Sequence, residues 1–286
     1  MKNYLTLIRC RHYIKNALVF AALVCSGQLF DLEKFVSCAI CFAAFCAVSS
    51  VVYIFNDIQD RDRDRLHPKK RTRPIASGAV SAEKAGILAL GLLLLALVCN
   101  FAVFHPASTA LLVLYLVMNL AYSVKLKNIP IVDITILAFG FLIRVLYGAF
   151  VTGTTVSNWL YLTVISTAYF FAAGKRRNEL RQVSDGETRK VLRYYSFNFL
   201  DRIMYMFLGL ANAFYSLWSM DEETVSRYQS THLVFTVPIV FLITMTYCLK
   251  IEGDSDGDPV ETLFHDKILF ALCFLYLLVM FLTLYL

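Results

Sequence analysis

The strongest constraint on this chain is a series of apolar runs, each roughly twenty residues long, that recurs from one end of the sequence to the other. A helix of about twenty residues crosses a hydrocarbon layer of about 30 Å. Of the 286 residues, 58% are hydrophobic and only 17% are charged, whereas about a quarter of the residues of a soluble domain are charged. The sequence therefore predicts an all-α, polytopic integral membrane protein.

Nine such runs can be delimited, and each is predicted to form a transmembrane helix. The runs are continuously apolar, whereas barrel strands alternate over about ten residues, so a helical bundle is favoured. The first run follows a basic start, as in a signal peptide, but no small-residue cleavage pattern is followed by a soluble domain. Residues 1–286 are predicted to form a single transmembrane domain. The predicted spans are 14–30, 34–56, 83–104, 106–123, 131–151, 158–174, 199–219, 232–250 and 266–286.

Lysine and arginine collect in the segments that nine alternating helices would place on one side of the membrane. These segments are the N-terminus, residues 61–73, Lys125 with Lys127, and residues 175–193. Because cytoplasmic segments are enriched in basic residues, this side is predicted to be cytoplasmic. The prediction is a multi-pass protein of the cell inner membrane, with a cytoplasmic N-terminus and a polar cap that forms a site on the cytoplasmic face.

The most informative segment is YIFNDIQDRDRDRLHPKKRTRPIASG, residues 53–78, where the second span meets the cytoplasm. If the helix continues to about Arg65, the helical repeat places an amide and several carboxylates on one face and Asp62 on the other. Oxygen ligands crowded in this way suit Mg²⁺, which can bridge them to a diphosphate. The alternative is a solvated helix end on which the acids pair with the interleaved arginines. The predicted metal ligands are Asn56, Asp57, Asp60 and Asp64.

Basic residues follow the acidic ones. Lys69, Arg71 and Arg73 come after the helix-breaking Pro68. A guanidinium group binds two phosphate oxygens at once, so these residues are predicted to bind phosphate beside the metal. Their alternative role is to set the orientation of the chain in the membrane.

A second polar cluster, AYSVKLKNIPIVDI, lies where the fourth span meets the fifth. Its Tyr122 and Lys125 can each reach a phosphate. Asp133 and Arg144 lie inside the apolar run that follows, where a charged side chain is costly and is by default a functional candidate. Arg144 is predicted to meet an anion in a polar cavity, and an ion pair between Arg144 and Asp133 is the alternative.

Two further clusters contain basic residues. The segment GKRRNEL at the end of the sixth span supplies Lys175, Arg176 and Glu179, and an ion pair between Lys175 and Glu179, one helical turn apart, is its alternative role. The N-terminal segment RCRHYIKN contains Arg11 and Lys15, which are predicted either to bind a lipid phosphate or to anchor the chain at the headgroups.

The pattern Asn56-Asp57-x-x-Asp60-x-x-x-Asp64, followed by HPKKRTRPIASG, resembles the first aspartate-rich motif of the UbiA superfamily. The resemblance implies a nine-helix bundle that uses Mg²⁺ to activate a diphosphate. Most prenyltransferases of the superfamily carry a second aspartate-rich motif after the sixth helix, where this sequence has KRRNEL. In this departure the sequence is similar to the decaprenyl-phosphate phosphoribosyltransferase branch. The similarity extends to four further features, which are RxRHYIKN, YSVKLKNIPIVD, Arg144 and DPVETLFHDK.

This resemblance implies a Mg²⁺-dependent pentosyltransferase, with phosphoribosyl diphosphate as donor and a polyprenyl phosphate as acceptor. A lipid phosphate oxygen would attack ribose C1 through an oxocarbenium-like transition state, without a protein nucleophile. Asp57, Asp60 and Asp64 are implied to act through the metal. The implied substrate-binding residues are Asn56, Lys69, Arg71, Arg73, Tyr122, Lys125, Lys175, Arg176 and Glu179 for the donor, and Arg11, Lys15 and Arg144 for the acceptor.

Two other functions are open to a chain of this composition. One is a prenyltransferase that moves a prenyl group from a prenyl diphosphate to an aromatic acceptor. The other is a transporter, which would place functional charge near the middle of the membrane, whereas here most of the charge lies at one face. Nothing in the sequence indicates a nucleic-acid partner, and a homo-oligomer is compatible with it.

Overall fold

The computed structural model describes residues 2–66, 70–182, 190–253 and 257–285, and these residues form helices, turns and loops without a β-strand. The predicted all-α class is confirmed. The α-helices are α1 (Lys2–Ile8), α2 (Ala21–Val24), α3 (Leu32–Gln59), α4 (Arg61–Leu66), α5 (Ala82–Ala102), α6 (Pro106–Val124), α7 (Val132–Thr152), α8 (Asn158–Arg181), α9 (Phe197–Met220), α10 (Glu222–Tyr228), α11 (Val237–Ile251), α12 (Pro259–His265) and α13 (Lys267–Tyr285). The 3₁₀ helices are Cys10–Phe20, Lys70–Thr72, Leu126–Asn128, Lys190–Tyr194 and His232–Thr236.

Capping side chains explain where several of these helices begin. The first backbone N–H groups of a helix have no partner within it, and a serine or aspartate just before the helix can accept from one of them. In each case the side-chain oxygen accepts from an N–H group two or three residues further on. The capping residues are Asp31 for α3, Ser81 for α5, Ser157 for α8, Ser196 for α9 and Asp258 for α12.

Seven of the described helices are long and apolar enough to cross a membrane. They are α3, α5, α6, α7, α9, α13 and the combined segment His232–Ile251, and each coincides with a predicted span. The helix α8 has the length, but hydroxyl-bearing residues interrupt its apolar sequence and its last turns read KRRNELR. The predicted span 14–30 is not one continuous α-helix, because Cys10–Phe20 is 3₁₀ and α2 ends at Val24. The count of nine spans therefore stays a prediction.

The chain divides into two compact units, and unit 1 comprises Met1–Lys127 and Ile143–Thr155. At its centre the Phe45 ring packs against the rings of Tyr115 and Tyr147, with centroids 4.6 and 5.7 Å away. Polar contacts fasten the 3₁₀ segment Cys10–Phe20 to α3, since the Asn16 amide donates to the Cys46 sulfur at 3.3 Å. The N-terminal segment is thus fixed along the helix that carries the acidic residues.

Unit 2 comprises Asn128–Leu142 and Val156–Leu286. Its helices α8 and α9 are antiparallel, and the Trp159 indole N–H donates to Asp221 Oδ1 at 3.0 Å at one end of the pair. Successive residues of α8 pack into different buried clusters of hydrophobic side chains. Ala172 packs with Val191 and Leu200, whereas Ala173 packs with α11 and α13 residues such as Tyr247 and Leu269. The helix α8 is therefore the centre of this unit.

Gly148 of α7 is predicted to be essential for the packing of unit 1. A Cβ atom at this position would lie 1.9 Å from the Val19 carbonyl oxygen, which is backbone and cannot rotate away. We expect Gly148→Ala to lower the free energy of unfolding by about 1–3 kcal/mol or more, the usual cost of overpacking. Thermal unfolding of the detergent-solubilised protein measures the change.

Gly91→Ala provides the matched control, because Gly91 lies in the spanning helix α5 and nothing is within 4 Å of an added Cβ. Alanine has the higher helix propensity, so this variant is expected to be as stable as the parent or slightly more stable. Equal melting temperatures for the two variants would show that α7 and the N-terminal segment are not in close contact.

Candidate active site

The acidic segment forms an almost continuous helical face. The helix α3 ends at Gln59 and α4 begins at Arg61, yet Asp60 N–H donates to Asn56 O at 2.9 Å and Asp64 N–H donates to Asp60 O at 2.8 Å. Asp57 and Asp64 are each only 3% exposed, whereas the Asp62 side chain is 77% exposed and pairs with Arg61. The helical repeat therefore separates the buried acids from the solvated one.

Arg73 joins the two buried carboxylates. Its Nη1 atom lies 2.7 Å from Asp64 Oδ2 and 3.3 Å from Asp57 Oδ1. Arg9 adds a second guanidinium group, with Nη2 2.6 Å from Asp57 Oδ1 and with its charged group over the Tyr53 ring, 4.7 Å from the centroid. The Asp57 and Asp64 carboxylates thus both contact the Arg73 guanidinium, and Asp57 also contacts the Arg9 guanidinium.

Asp60 has different partners. Its carboxylate contacts Arg63 Nη2 at 2.5 Å and Lys127 Nζ at 3.1 Å. Burial alone would raise the pKa of Asp60, but the hydrogen bond and charge of Lys127, together with Arg63, outweigh burial and hold the pKa below its usual value. Asp60 is therefore ionised at neutral pH, and its ion-pair partners, Arg63 and Lys127, differ from those of Asp57 and Asp64.

The donor set can be tested for its fit to a divalent cation. Among the described residues, no three His, Cys, Asp or Glu side chains lie close enough together to hold a metal ion. Mg²⁺, however, is usually bound by one or two carboxylates together with water and substrate phosphates. Asp57 and Asp64 fit that mode, because their oxygens already converge on the cationic Arg73. Metal roles for Asn56 and Asp60 stay predictions.

Several predicted phosphate-binding cations of unit 1 lie at its surface. Arg11, Arg71 and Lys125 are exposed and form no ion pair with any residue that the structure describes. Arg71 is only two residues from Arg73, which contacts the acids. Lys69 lies outside the described residues. The exposed cations are therefore open to a negatively charged ligand.

Two cations of this site are absent from the set predicted by sequence. Arg9 and Lys127 contact Asp57 and Asp60, whereas the prediction selected their neighbours Arg11 and Lys125. The basic segments of the sequence indicated that cations lie near the acids. The turn of 3₁₀ helix at Leu126–Asn128 decides which lysine faces the acids. The predicted Tyr122 is buried and Lys15 is partly buried in the same unit.

Arg144 lies in a buried polar pocket of unit 1. Its Nε donates to Asn16 Oδ1 at 2.8 Å, and its Nη2 donates to the Tyr115 hydroxyl at 3.0 Å. The guanidinium also lies over the Phe45 ring, 4.9 Å from the centroid. The alternative of an ion pair with Asp133 is wrong, because Asp133 binds Arg176. On one α-helix, eleven residues separate two side chains by roughly 16 Å.

Unit 2 contains a fully buried ion pair at the end of α8. Arg176 Nε lies 2.6 Å from Asp133 Oδ2, with 1% and 0% of the two side chains exposed, and Arg176 Nη1 contacts Glu179 Oε2 at 2.8 Å. The Tyr195 hydroxyl donates to Asp133 Oδ1 at 2.5 Å. Burial raises the pKa of Tyr195 and the Asp133 carboxylate raises it further, so this hydroxyl stays protonated.

The remaining residues of this basic cluster differ in exposure. Lys175 is 35% exposed and lies 3.5 Å from Asp258. Arg177 is buried and contacts both Asp201 and Glu252. The predicted substrate roles of Lys175, Arg176 and Glu179 stay predictions, and the ion pairs of Arg176 with Asp133 and Glu179 lie within one unit.

The sequence profile of the UbiA prenyltransferase family matches residues 17–252. The chain is 30% identical over 285 residues to the decaprenyl-phosphate phosphoribosyltransferase of Corynebacterium glutamicum, covering 96% of this chain and 84% of that protein. It is 32% identical to the protein of the same name from Mycolicibacterium smegmatis, covering 92% and 86%.

Solved structures share the fold. The structure of a UbiA homolog from Archaeoglobus fulgidus bound to DMAPP and Mg²⁺ aligns with a TM-score of 0.69 at 17% identity, over 99% of both chains. A structure described for digeranylgeranylglyceryl phosphate synthase aligns with a TM-score of 0.66 at 19% identity, over 99% of this chain and 98% of that one. At these identities the likeness concerns the fold.

We predict that Arg176→Met destabilises the protein strongly. It leaves Asp133 buried without its cation, and removing one partner of a buried ion pair costs about 3–5 kcal/mol. Thermal unfolding in detergent measures the loss. The double variant D133L/R176M is expected to recover part of the stability, because the buried charge is removed together with its partner.

Arg181→Met, in the last turn of α8, is the control, because the Arg181 side chain is 48% exposed. An exposed ion pair contributes only about 0–1 kcal/mol. If Arg176→Met melted like Arg181→Met and lost only donor binding, Arg176 would be a phosphate ligand rather than a structural partner of Asp133.

Proposed function

Because the chain belongs to the UbiA prenyltransferase family, we propose that it transfers the 5-phosphoribosyl group of phosphoribosyl diphosphate to a polyprenyl phosphate and releases diphosphate. The protein is a membrane transferase with several apolar helices. Relatives that it covers over more than four fifths of their length are named decaprenyl-phosphate phosphoribosyltransferase. Their name supports both the donor group and the lipid acceptor of the proposal.

The observation that carries the proposal is the convergence of Asp57 and Asp64 on one cation, with further cations around them. Arg9, Arg73 and Lys127 contact the acidic segment directly. The exposed Arg11, Arg71 and Lys125 add positive charge in the same unit. Phosphoribosyl diphosphate carries a 5-phosphate besides its diphosphate, so it gains more from this excess of cations than a prenyl diphosphate does.

The proposed step is a displacement at ribose C1. An oxygen of the lipid phosphate forms a bond to C1 while the bond from C1 to the diphosphate oxygen breaks, and diphosphate leaves with the electron pair. Mg²⁺, when bound, supplies positive charge that neutralises this leaving group. Asp57 and Asp64 would hold the ion, and the guanidinium groups of Arg71 and Arg73 would orient phosphate oxygens.

We also propose the orientation that the loop charges predict. The acidic segment and the basic residues after it would face the cytoplasm of a cell with the protein in its inner membrane. A water-soluble donor would then reach the site from the cytoplasm, and the acceptor would enter from the membrane. The whole chain would act as one functional domain.

The second candidate is transfer of a prenyl group. The fold is shared with a UbiA homolog whose structure is described as bound to DMAPP and Mg²⁺. The chain is also 33% identical over 152 residues to a digeranylgeranylglyceryl phosphate synthase of Ignicoccus hospitalis. The aligned segment covers 53% of this chain and 48% of that protein. A direct assay with both donors separates the two functions.

We predict that purified protein converts radiolabelled phosphoribosyl diphosphate and a polyprenyl phosphate into a labelled lipid. Extraction into organic solvent followed by chromatography detects the product. Removal of Mg²⁺ with a chelator should abolish the reaction, and readdition should restore it. Consumption of a prenyl diphosphate without formation of any labelled ribosyl lipid would contradict the proposal.

We predict that Asp57→Asn and Asp64→Asn each reduce turnover by about 10²–10³-fold, the loss typical of removing one preorganised electrostatic contact. Asparagine keeps the shape of the side chain but removes the charge that would hold the cation. Asp62→Asn is the matched control on the same turn, because Asp62 is exposed and pairs with the neighbouring Arg61 and Arg65. Turnover of that variant should stay within about two-fold of the parent, since an exposed pair contributes little. Equal turnover of all three variants would eliminate the proposed metal site.

A further inference from the structure

Unit 2 contains a cavity of about 280 Å³, and its described lining residues do not include those proposed for the transfer reaction. Matching stripes of side chains line it. On α9 these are Leu208, Ala211, Asn212 and Tyr215, which recur at helical spacing on one face, and α11 presents the same spacing from Val240 to Tyr247. Residues of α8, α12 and α13 complete the wall, and among the residues that the structure describes none that lines the cavity is charged.

Most hydroxyl groups of this wall are already hydrogen-bonded within the protein. Thr167 donates to the Thr163 carbonyl at 2.8 Å, Thr244 donates to the Phe241 carbonyl at 3.0 Å, and the Tyr215 hydroxyl bonds to Thr236 at 2.6 Å. These groups are satisfied without a ligand. They leave a surface that is effectively apolar.

Two polar groups of the wall differ from the others. The Thr163 hydroxyl oxygen is buried and has no hydrogen-bond partner in the structure. The Asn212 side chain forms no hydrogen bond with any residue that the structure describes. A buried polar atom without a partner costs free energy, and such an atom in a cavity wall indicates a ligand or water that completes it.

The position of these two groups limits what can complete them. Thr163 is four residues from Trp159, about 6 Å along α8, and Asn212 is nine residues from Asp221, about 13 Å along α9. Trp159 and Asp221 mark the same end of this antiparallel pair. Along the helices Thr163 therefore lies nearer to this end of the pair than Asn212, which is deeper in α9, one of the helices apolar enough to cross a membrane.

We propose that this cavity binds a neutral membrane lipid, with its hydrocarbon chain in the apolar space and a hydroxyl or carbonyl group bonded either to Thr163 or, about 7 Å further along the helix pair, to Asn212. A cavity of about 150 Å³ binds benzene, which has six carbon atoms. Scaled by volume, this cavity accommodates roughly ten to twelve carbon atoms. A phosphate or carboxylate headgroup is disfavoured, because the described residues of the wall provide no counter-charge. The ligand is therefore chemically distinct from a polyprenyl phosphate, and this site is separate from the proposed reaction.

Photolabelling of the detergent-solubilised full chain tests the proposal, with no phosphoribosyl diphosphate present. The probes are dodecanol and a fifteen-carbon prenol, each bearing a diazirine, with a diazirine-bearing dodecane as the apolar reference. Mass spectrometry locates the label. An alcohol is expected to label peptides of α8, α9 and α11, and the more efficient of the two alcohols identifies the acyl or isoprenoid origin of the chain.

Cavity-filling variants locate the site. Ala211→Phe should reduce labelling by alcohol at least ten-fold, whereas Ala213→Phe, two residues further on the exposed face of α9, should leave it unchanged. Ala211→Leu fills less of the space and serves if the phenylalanine variant does not fold, as thermal unfolding shows. Equal labelling of the Ala211 and Ala213 variants would overturn the proposal.

The polar contacts are tested separately. One of the two variants Thr163→Val and Asn212→Leu, the one that removes the bonding group, should weaken labelling by the alcohols by roughly five-fold, the effect of one lost hydrogen bond, and leave labelling by the alkane unchanged. If alcohol and alkane label the parent protein equally, or if both variants match the parent, the cavity is a water-filled or unspecific apolar void and the proposal fails. Neither result depends on the donor of the transfer reaction.

Discussion

The structure depends on the pairing of buried charge. Asp57, Asp64, Asp133 and Asp258 are the buried carboxylates of the part of the chain that is described, and each lies against a basic side chain. An unpaired charge in an apolar interior costs several kcal/mol, so these contacts constrain the segments that supply the cations. The N-terminal segment is held through Arg9, and the segment after α4 through Arg73.

This constraint gives the acidic segment its chemical character. Asp57 and Asp64 are buried side by side only because a guanidinium group lies between them. The same geometry suits a divalent cation, which needs two carboxylates near one point and leaves its other positions to phosphate oxygens and water. Unit 2 shows the opposite arrangement in its cavity, where neutral side chains surround a space with two open hydrogen-bonding groups. The proposed charged donor and the proposed neutral lipid would thus meet walls of different polarity.

Local sequence patterns predicted much of this arrangement. The helical repeat separated Asp62 from Asp57 and Asp64 across the break at Asp60, because hydrogen bonds of helical type continue through it. It did not predict that Asp60 would turn to Lys127, a contact between residues far apart in the chain. It also did not predict that Arg176 would bind Asp133, because neither residue carries a local signal for the other. Periodicity is a local property, whereas the choice of an ion-pair partner depends on which segments pack together.

The sequence by itself determined the class of the protein, the positions of most spanning helices and the face of α3 that carries the acids. These features follow from hydrophobicity and from a repeat of about 3.6 residues, which act over a few turns. Tertiary structure alone decided that Cys10–Phe20 is a 3₁₀ segment held against α3 by Asn16, and that Arg9 and Lys127 rather than their neighbours meet the carboxylates. It also created the cavity of unit 2, because a cavity exists only where several helices fail to fill the space between them.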